Sequence, residues 1–425
     1  MGGAVLWNGD FGTVSDCIFV NNTVTNIGGG LYWNSTNGNL INSIFVNNTA
    51  NSIGGGVVWA GANGTVTYSN FTGNSASSGG GIFWGRDDGT IVNSNFINNH
   101  ANSQGGAVFW NAGNGIISNS IFIDNAADEH GGGIFWAGAN GEIMNSTFNS
   151  NTATSNGGGI YWYGNNGTLS NSHFLNNKAI NGGGIYWASS NGNLSGSNFI
   201  NNTANGSGGA VQWAGNNGKL SSSNFINNTA KDAGAGINWS GAKGTLTDSN
   251  FTKNGATNGG GVCWGADNGI LTGCYFNRNT ANHYGGAVAW YATKGTLTNS
   301  TFVDNTANWA AGAIWWQGTN GTIKKSTFNK NYATGQGGAI VWASVGDNGI
   351  LTECTFTGNT AYRGGALYFN KKGSIINCTF NNSKWTESNG IYTPDNLIIN
   401  GGKGIVDIKT NSILSGISIV VLNNE

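Results

Sequence analysis

Charge is scarce in this 425-residue chain: Lys, Arg, Asp and Glu make up 8% of it, and the formal net charge is −1. Basic residues this sparse exclude a nucleic-acid-binding chain, which needs a basic patch or stripe. Proline occurs once, at Pro394. No segment of useful length carries the helical 3.6-residue period, which excludes a helical bundle. No run approaches the roughly 18 apolar residues of a membrane-spanning helix, and Ile417 to Leu422, the longest late one, is far too short. Cysteine is odd in number, at five, with no metal-type spacing, which argues against a disulfide framework and against zinc. The Asp-bearing nonapeptide of calcium-binding β-rolls is absent, so the reading carries no metal and no cofactor.

What the chain has is glycine, 74 residues of it, and a period. A marker Trp recurs at Trp7, Trp33, Trp59, Trp84, Trp110, Trp136, Trp162, Trp187 and on to Trp342, in steps of 25 or 26 residues, and Phe369 takes the slot once more. A Phe follows 12 residues after the Trp from Phe19 to Phe328, and an Asn stands three residues after the Phe from Asn22 to Asn359. Collagen would need Gly at every third position, and a flexible Gly-rich linker would lack the periodic Trp and Phe. A two-residue insertion near Val345 and Gly346 breaks the spacing once, which an outward turn tolerates.

One copy shows the logic. Gly157-Gly158-Gly159-Ile160-Tyr161-Trp162 is an alternating strand with Ile and Trp on the fixed face and a variable residue between them. A turn ending in Asn166-Gly167 follows, and such pairs tolerate the positive φ of a sharp reversal. A second strand centres on Leu169 and a third carries Ser172 and Phe174. They are out of phase by one residue, Asn171, which reads as a corner in the left-handed conformation, as do Asn145 and Asn299. Asn-Asn-Thr-Ala reads as the last turn. Three short strands and three bends per repeat describe one coil of an all-β, right-handed parallel β-helix. About 15 coils at roughly 4.8 Å would make a rod on the order of 70 Å long. The expected structural ladders are Trp33, Trp59, Trp84, Trp110, Trp136, Trp162 and Trp187, with Asn48, Asn74 and Asn99 bonding coil to coil.

Gly-Gly-Ala-Ile or Gly-Gly-Gly-Ile with Phe-x-x-Asn resembles the repeat of chlamydial polymorphic outer membrane proteins. The fuller form over residues 208–230 looks even more like the adhesin-like surface proteins of methanogenic archaea. The match covers about residues 2–383. The resemblance implies a secreted or wall-associated β-helix used in attachment, and no catalytic residue to carry over. The membrane-embedded C-terminal barrel of the chlamydial proteins has no counterpart here.

The repeat domain spans 1–383 and starts at mid-coil, so its N-terminus reads as truncated and without a cap, with any signal peptide and anchor outside the sequence. Residues 384–425 lose the period and read as a linker and an irregular C-terminal β segment that could open a further domain. An uncapped parallel stack presents a sheet edge, and end-to-end self-association is expected of it.

Candidate binding residues lie at the variable position before the Trp. Tyr32, Phe83, Phe109, Phe135, Tyr161 and Tyr186 would align as an exposed aromatic stripe able to hold sugars or a partner surface. With the opposite strand parity, the Trp ladder would be the stripe. Asp87, Asp88, Asp124, Asp128, Glu129 and His130 form the best carboxylate cluster, but they fill turns, and solvation of those turns explains them more simply than a site does. Cys17, Cys274, Cys354 and Cys378 stand in for a small buried Ser, and Cys263 takes an outward slot. Two cations face eight acids up to residue 218, and fifteen face ten from Lys219 on. Lys324, Lys325, Lys330, Lys371 and Lys372 could meet anionic wall polymers. Sequons recur at Asn21, Asn47, Asn201 and Asn227, where secreted chains accept glycans.

These features give a non-enzymatic, adhesin-like repeat protein at the cell surface, an extended rod that attaches to extracellular glycans or to a surface protein, or that displays another domain. The alternatives are a β-helix polysaccharide lyase or glycoside hydrolase and a passive spacer.

Overall fold

The architecture follows from a repeat that cannot bury its own apolar face until a second copy stacks on it. A computed structural model describes residues 2–343, 347–370, 373–381, 383–385, 390–392, 397–405, 407–408, 413–415 and 418–420. Val345, Gly346, Lys371, Lys372 and Pro394 lie outside the described residues. The chain divides into two compact units, residues 1–205 with 209–215 and residues 206–208 with 216–425. Each unit is a right-handed parallel β-solenoid with three sheets, and no helix occurs among the described residues.

A coil of the first unit has strands Ile160–Trp162, Thr168–Ser170, His173–Leu175 and Lys178–Ala179. Each pairs in parallel with its equivalent one coil on, Trp162 against Trp187, Leu169 against Leu194, Phe174 against Phe199 and Ala179 against its stack neighbour Ala204 through Lys178↔Thr203. The strands bearing Leu and Phe share one sheet, bent at Asn171, whose φ is 48°. The pair at the end of Asn-Asn-Thr-Ala is a two-residue strand rather than a turn. The bend falls on the first Asn of that motif, Asn176 here at φ 54°, two residues before the strand. Its inward residue is Ala from Ala50 to Ala361, which leaves the interior to Trp and Phe.

The Asn-Gly turn works differently from the expectation. The positive φ sits on Asn166, at 58°, and not on Gly167. Gly167 is required for space, because a Cβ there would run into the indole of Trp162, as one on Gly64 would meet Trp59. Left-handed non-glycine residues cost roughly 1–2 kcal/mol each. The Asn side chains offset this by bonding to each other outside the coil, Asn166 Nδ2 to Asn140 Oδ1 at 3.1 Å and Asn191 Nδ2 to Asn166 Oδ1 at 3.1 Å.

Inside, like stacks on like. Trp136, Trp162 and Trp187 are fully buried, with ring centroids 5.2 and 4.7 Å apart, and Phe148, Phe174 and Phe199 follow at 4.7 and 4.8 Å. The second unit repeats this, for example Trp264 on Trp290 at 4.7 Å and Phe276 on Phe302 at 4.8 Å. The buried Asn ladder satisfies every polar atom it carries. Asn177 Nδ2 donates to Asn202 Oδ1 in one neighbouring coil and to Phe148 O in the other, and its Oδ1 accepts from both the backbone N and Nδ2 of Asn151. Asn48, Asn74 and Asn99 do the same. Beyond the repeat, described strands Gly390–Tyr392 and Leu397–Ile405 pair in parallel with Leu367–Phe369 and Gly373–Asn381.

Replacing Asn125 by Ala removes the acceptor of the Asn99 N–H and amide and the amide donor to Phe96 O and Asn151 Oδ1, the latter keeping only the backbone N–H of residue 125. The expected cost is about 3 kcal/mol or more, from several buried groups left unpaired at roughly 1–3 kcal/mol each. The outer-ladder change Asn140→Gly, which keeps the left-handed conformation without strain and loses only exposed hydrogen bonds, should cost under about 1 kcal/mol. Denaturant midpoints of the two variants check this, and equal shifts would contradict it.

Candidate functional site

Strand parity decides what the outer face offers. The inward positions take Ile and Trp, so the residue between them points out. From Trp33 to Trp342 the Trp ladder is fully buried, which removes it as a binding stripe. The intervening positions of the first unit stack in register, Tyr32 on Val58, Val58 on Phe83, then Phe109, Phe135, Tyr161 and Tyr186.

Their exposure is less than the sequence suggests. Tyr32, Phe83, Phe109, Tyr161 and Tyr186 are half-buried, and Phe135 is 7% exposed. The reason is the stacking itself. Phe83, Phe109, Phe135, Tyr161 and Tyr186 lie face to face at 5.1, 4.9, 5.1 and 5.1 Å, with interplanar angles of 15° or less. Their faces are occupied by one another, and their edges and hydroxyls form the outer surface. Burial, then the phenols of Tyr186 and Tyr163, pushes the Tyr161 hydroxyl above its ordinary range, so it remains a neutral hydrogen-bond donor.

A rail flanks the stripe on its Gly-Gly-Gly side: Ile27, Ile53, Ser78, Gln104, His130, Asn156 and Asn181, joined coil to coil by backbone bridges. His130 leans over the stripe and stacks on Tyr161 at 4.8 Å. Burial lowers its pKa below the ordinary histidine range, against the pull of the Glu129 carboxylate. The break in the stripe at Val58 opens a cleft of about 240 Å³ lined by Tyr32, Phe83, Val58 and Arg86 among others.

The carboxylate cluster is tied up in cross-coil bonds. Asp128 Oδ1 meets His100 Nε2 at 3.1 Å, Glu129 Oε2 accepts from Ser103 Oγ at 2.6 Å, Asp87 Oδ1 from Gly113 N at 2.7 Å, and Asp88 Oδ1 from Asn114 Nδ2 at 3.1 Å. Asp124 is an exposed corner residue at φ 53°. Among the described residues, no group of three or more His, Cys, Asp or Glu side chains could hold a metal ion. In the second unit Lys324 and Lys325 both pair with Glu353, at 3.5 and 3.6 Å, which mutes that basic patch. The sequon residues Asn21, Asn47, Asn201 and Asn227 are exposed corners outside the buried Asn ladder.

The sequence reading missed an aromatic patch in the second unit. Trp309 is 55% exposed, stacks on Tyr284 at 5.3 Å and meets His283 edge-on at 6.1 Å. Tyr284 in turn packs at 4.2 Å on Trp315, beside Ala310, Ala311, Val341 and Tyr368. The available signal was a Trp outside the periodic slot, which both Trp309 and Trp315 are.

A family model described as right handed beta helix region matches residues 3–163, 55–220, 207–337 and 285–425. No curated protein matches the sequence. Three solved structures are among those similar to the chain. PfbA, a surface adhesin of Streptococcus pneumoniae, is 14% identical with a TM-score of 0.41, over 77% of this chain and 83% of that one. The alginate lyase AlyF-OU02 in complex with G6 is 10% identical with a TM-score of 0.40, over 85% and 80%. A TibC-catalysed hyper-glycosylated TibA fragment is 14% identical with a TM-score of 0.30, over 91% and 100%.

The five thiols are free, and their chemistry tests the packing. Burial pushes Cys263 and Cys274 up to about 12, and the adjacent Cys378 thiol and burial raise Cys354 further. Cys17 is exposed. Only an accessible thiolate reacts, and Cys378, whose pKa the Cys354 hydrogen bond lowers, is buried out of reach, so a disulfide reagent near pH 8 should titrate one thiol per native chain and all five after unfolding. Rapid reaction of more than one native thiol would contradict the burial.

Proposed function

The chain belongs to the right-handed β-helix family, and from that premise we propose that it is an adhesin-like protein of the cell surface that attaches to extracellular polysaccharide through the outer aromatic face of its first unit. The observation that carries this reading is the in-register ladder from Phe83 to Tyr186, half-buried except for the buried Phe135, beside a rail of Ser, Gln, His and Asn side chains. Rigid aromatics lose little side-chain entropy on binding, and their edges supply apolar contact while hydroxyls and amides supply hydrogen bonds. The coil repeat of roughly 4.8 Å is of the order of one sugar residue, so successive coils can present the same contact to successive units of an extended chain. Each contact is weak, and many in register give avidity. Cross-coil bonding of Asp87, Asp88, Asp128 and Glu129 supports a binding role over a catalytic one. An extracellular location and exposed sequon corners fit the same reading.

A polysaccharide array with the full chain tests it. The double change Tyr161→Ala, Tyr186→Ala should weaken binding at least tenfold while the β-sheet circular dichroism is kept. Trp309→Ala, on the second unit, should leave binding unchanged. Equal binding by the double variant would move the adhesive surface elsewhere, and the absence of any glycan binding by the wild type would favour a protein partner or a spacer.

A further inference from the structure

The stacked stripe hides the faces of its rings, and ring faces are what a sugar ring packs against. Val58 interrupts the stack. It is directly in register with Tyr32 on one side and Phe83 on the other. Both neighbours line the cleft of about 240 Å³ above it. Val58 itself is buried, at 2% exposure, and forms the floor. This break is thus a slot one coil wide between two aromatic side chains. It is smaller than the roughly 300–1,000 Å³ of pockets that enclose whole drug-sized ligands, so it suits one ring of a longer chain.

Slot width and rim chemistry select the ring. Two coil steps separate Tyr32 from Phe83 by about 9.6 Å. Two optimal carbon contacts of about 3.5–4.0 Å use about 7–8 Å of that. The remaining 2 Å or so is too much for a flat ring and matches the pucker of a chair pyranose. Ile27 and Ile53 line one bank, and Asn111 and Arg86 line the other. Arg86 is exposed and enters no ion pair among the described residues. Its neighbours Asp87 and Asp88 are bonded to Gly113 and Asn114, in the coil on the far side from Val58. Up to residue 215, Arg86 and Lys178 are the only Lys or Arg in the sequence, so one of two cations stands at this rim.

The geometry points to the Val58 slot as a subsite for a carboxylated pyranose, a uronic acid residue within a polysaccharide, held between Tyr32 and Phe83 with its carboxylate on the Arg86 guanidinium. This rests on the reading of the outer face as a glycan-binding surface, and it adds a preference for charge that the aromatic ladder alone does not confer. Guanidinium pairs with carboxylate in a planar, two-pronged fashion.

The test titrates the full chain with tetragalacturonate, tetramannuronate and a heparosan tetrasaccharide, each beside its carboxyl-reduced form. At least one acidic oligomer should bind tenfold or more tightly than its reduced form. Val58→Phe fills the slot and completes the stack. The same position holds Phe in the next two coils, each behind an equivalent glycine, Gly79 or Gly105, so its melting temperature should not fall. It should weaken binding of the acidic oligomer at least tenfold. Arg86→Gln should abolish the preference for the acidic form. If both variants bind as the wild type does while Tyr161→Ala, Tyr186→Ala loses binding, the subsite is wrong and the stripe stands. If the wild type binds none of the oligomers in either form and also no polysaccharide, both fall. Binding of polysaccharide without any preference for acid overturns the subsite alone.

Discussion

Everything in this protein depends on a residue meeting its own equivalent one coil away. The buried Asn ladder states the constraint most sharply. A carboxamide has two donors and an acceptor with two lone pairs, and Asn177 places each of these against a neighbouring coil. No other side chain of that length can do this without leaving a buried group unpaired. The ladder fixes the register in each unit, and the register brings Trp over Trp and Phe over Phe. Aromatic pairs of this kind contribute about 0.5–1.5 kcal/mol each beyond the area they bury. The left-handed corners at Asn166, Asn171 and Asn176 are strained one by one, and hydrogen bonds to the next coil hold them.

That constraint explains why the fold was legible in the sequence. A position repeated at a fixed step must be doing the same job each time, so Trp162, Phe174 and Asn177 announced the core, and Asn171 announced the corner. Positions whose job is spatial were harder to read. Gly167 follows an Asn in a turn and looks like a conformational glycine, yet its role is to leave room for the Trp162 indole. Thr203 and Ala204 sit in a polar, turn-like context, yet they form a strand because the preceding coil offers their backbone a parallel partner.

The candidate site was legible as a list of residues and not as a surface. Sequence alternation placed Tyr32, Phe83, Phe109, Phe135, Tyr161 and Tyr186 between the inward Ile and Trp of each coil. It could not show that consecutive aromatics would cover one another, because exposure depends on the neighbour one coil away and not on the residue. By the same logic a non-aromatic residue, Val58, becomes informative only when its neighbours are aromatic. Trp309 stayed hidden since it belongs to no repeating column.

On the proposed function, the outer face is a pre-organised surface whose contacts are set by backbone register rather than by flexible side chains, and that rigidity suits a repetitive ligand. The most direct measurement is fluorine NMR of the chain labelled with 3-fluorotyrosine, with the Tyr32, Tyr161 and Tyr186 signals assigned by substitution. On adding a polysaccharide that the chain binds, these three resonances should shift together while those of Tyr275 and Tyr332 stay in place. Shifts at Tyr275 or Tyr332, with the three unchanged, would contradict the assignment of this face as the adhesive surface.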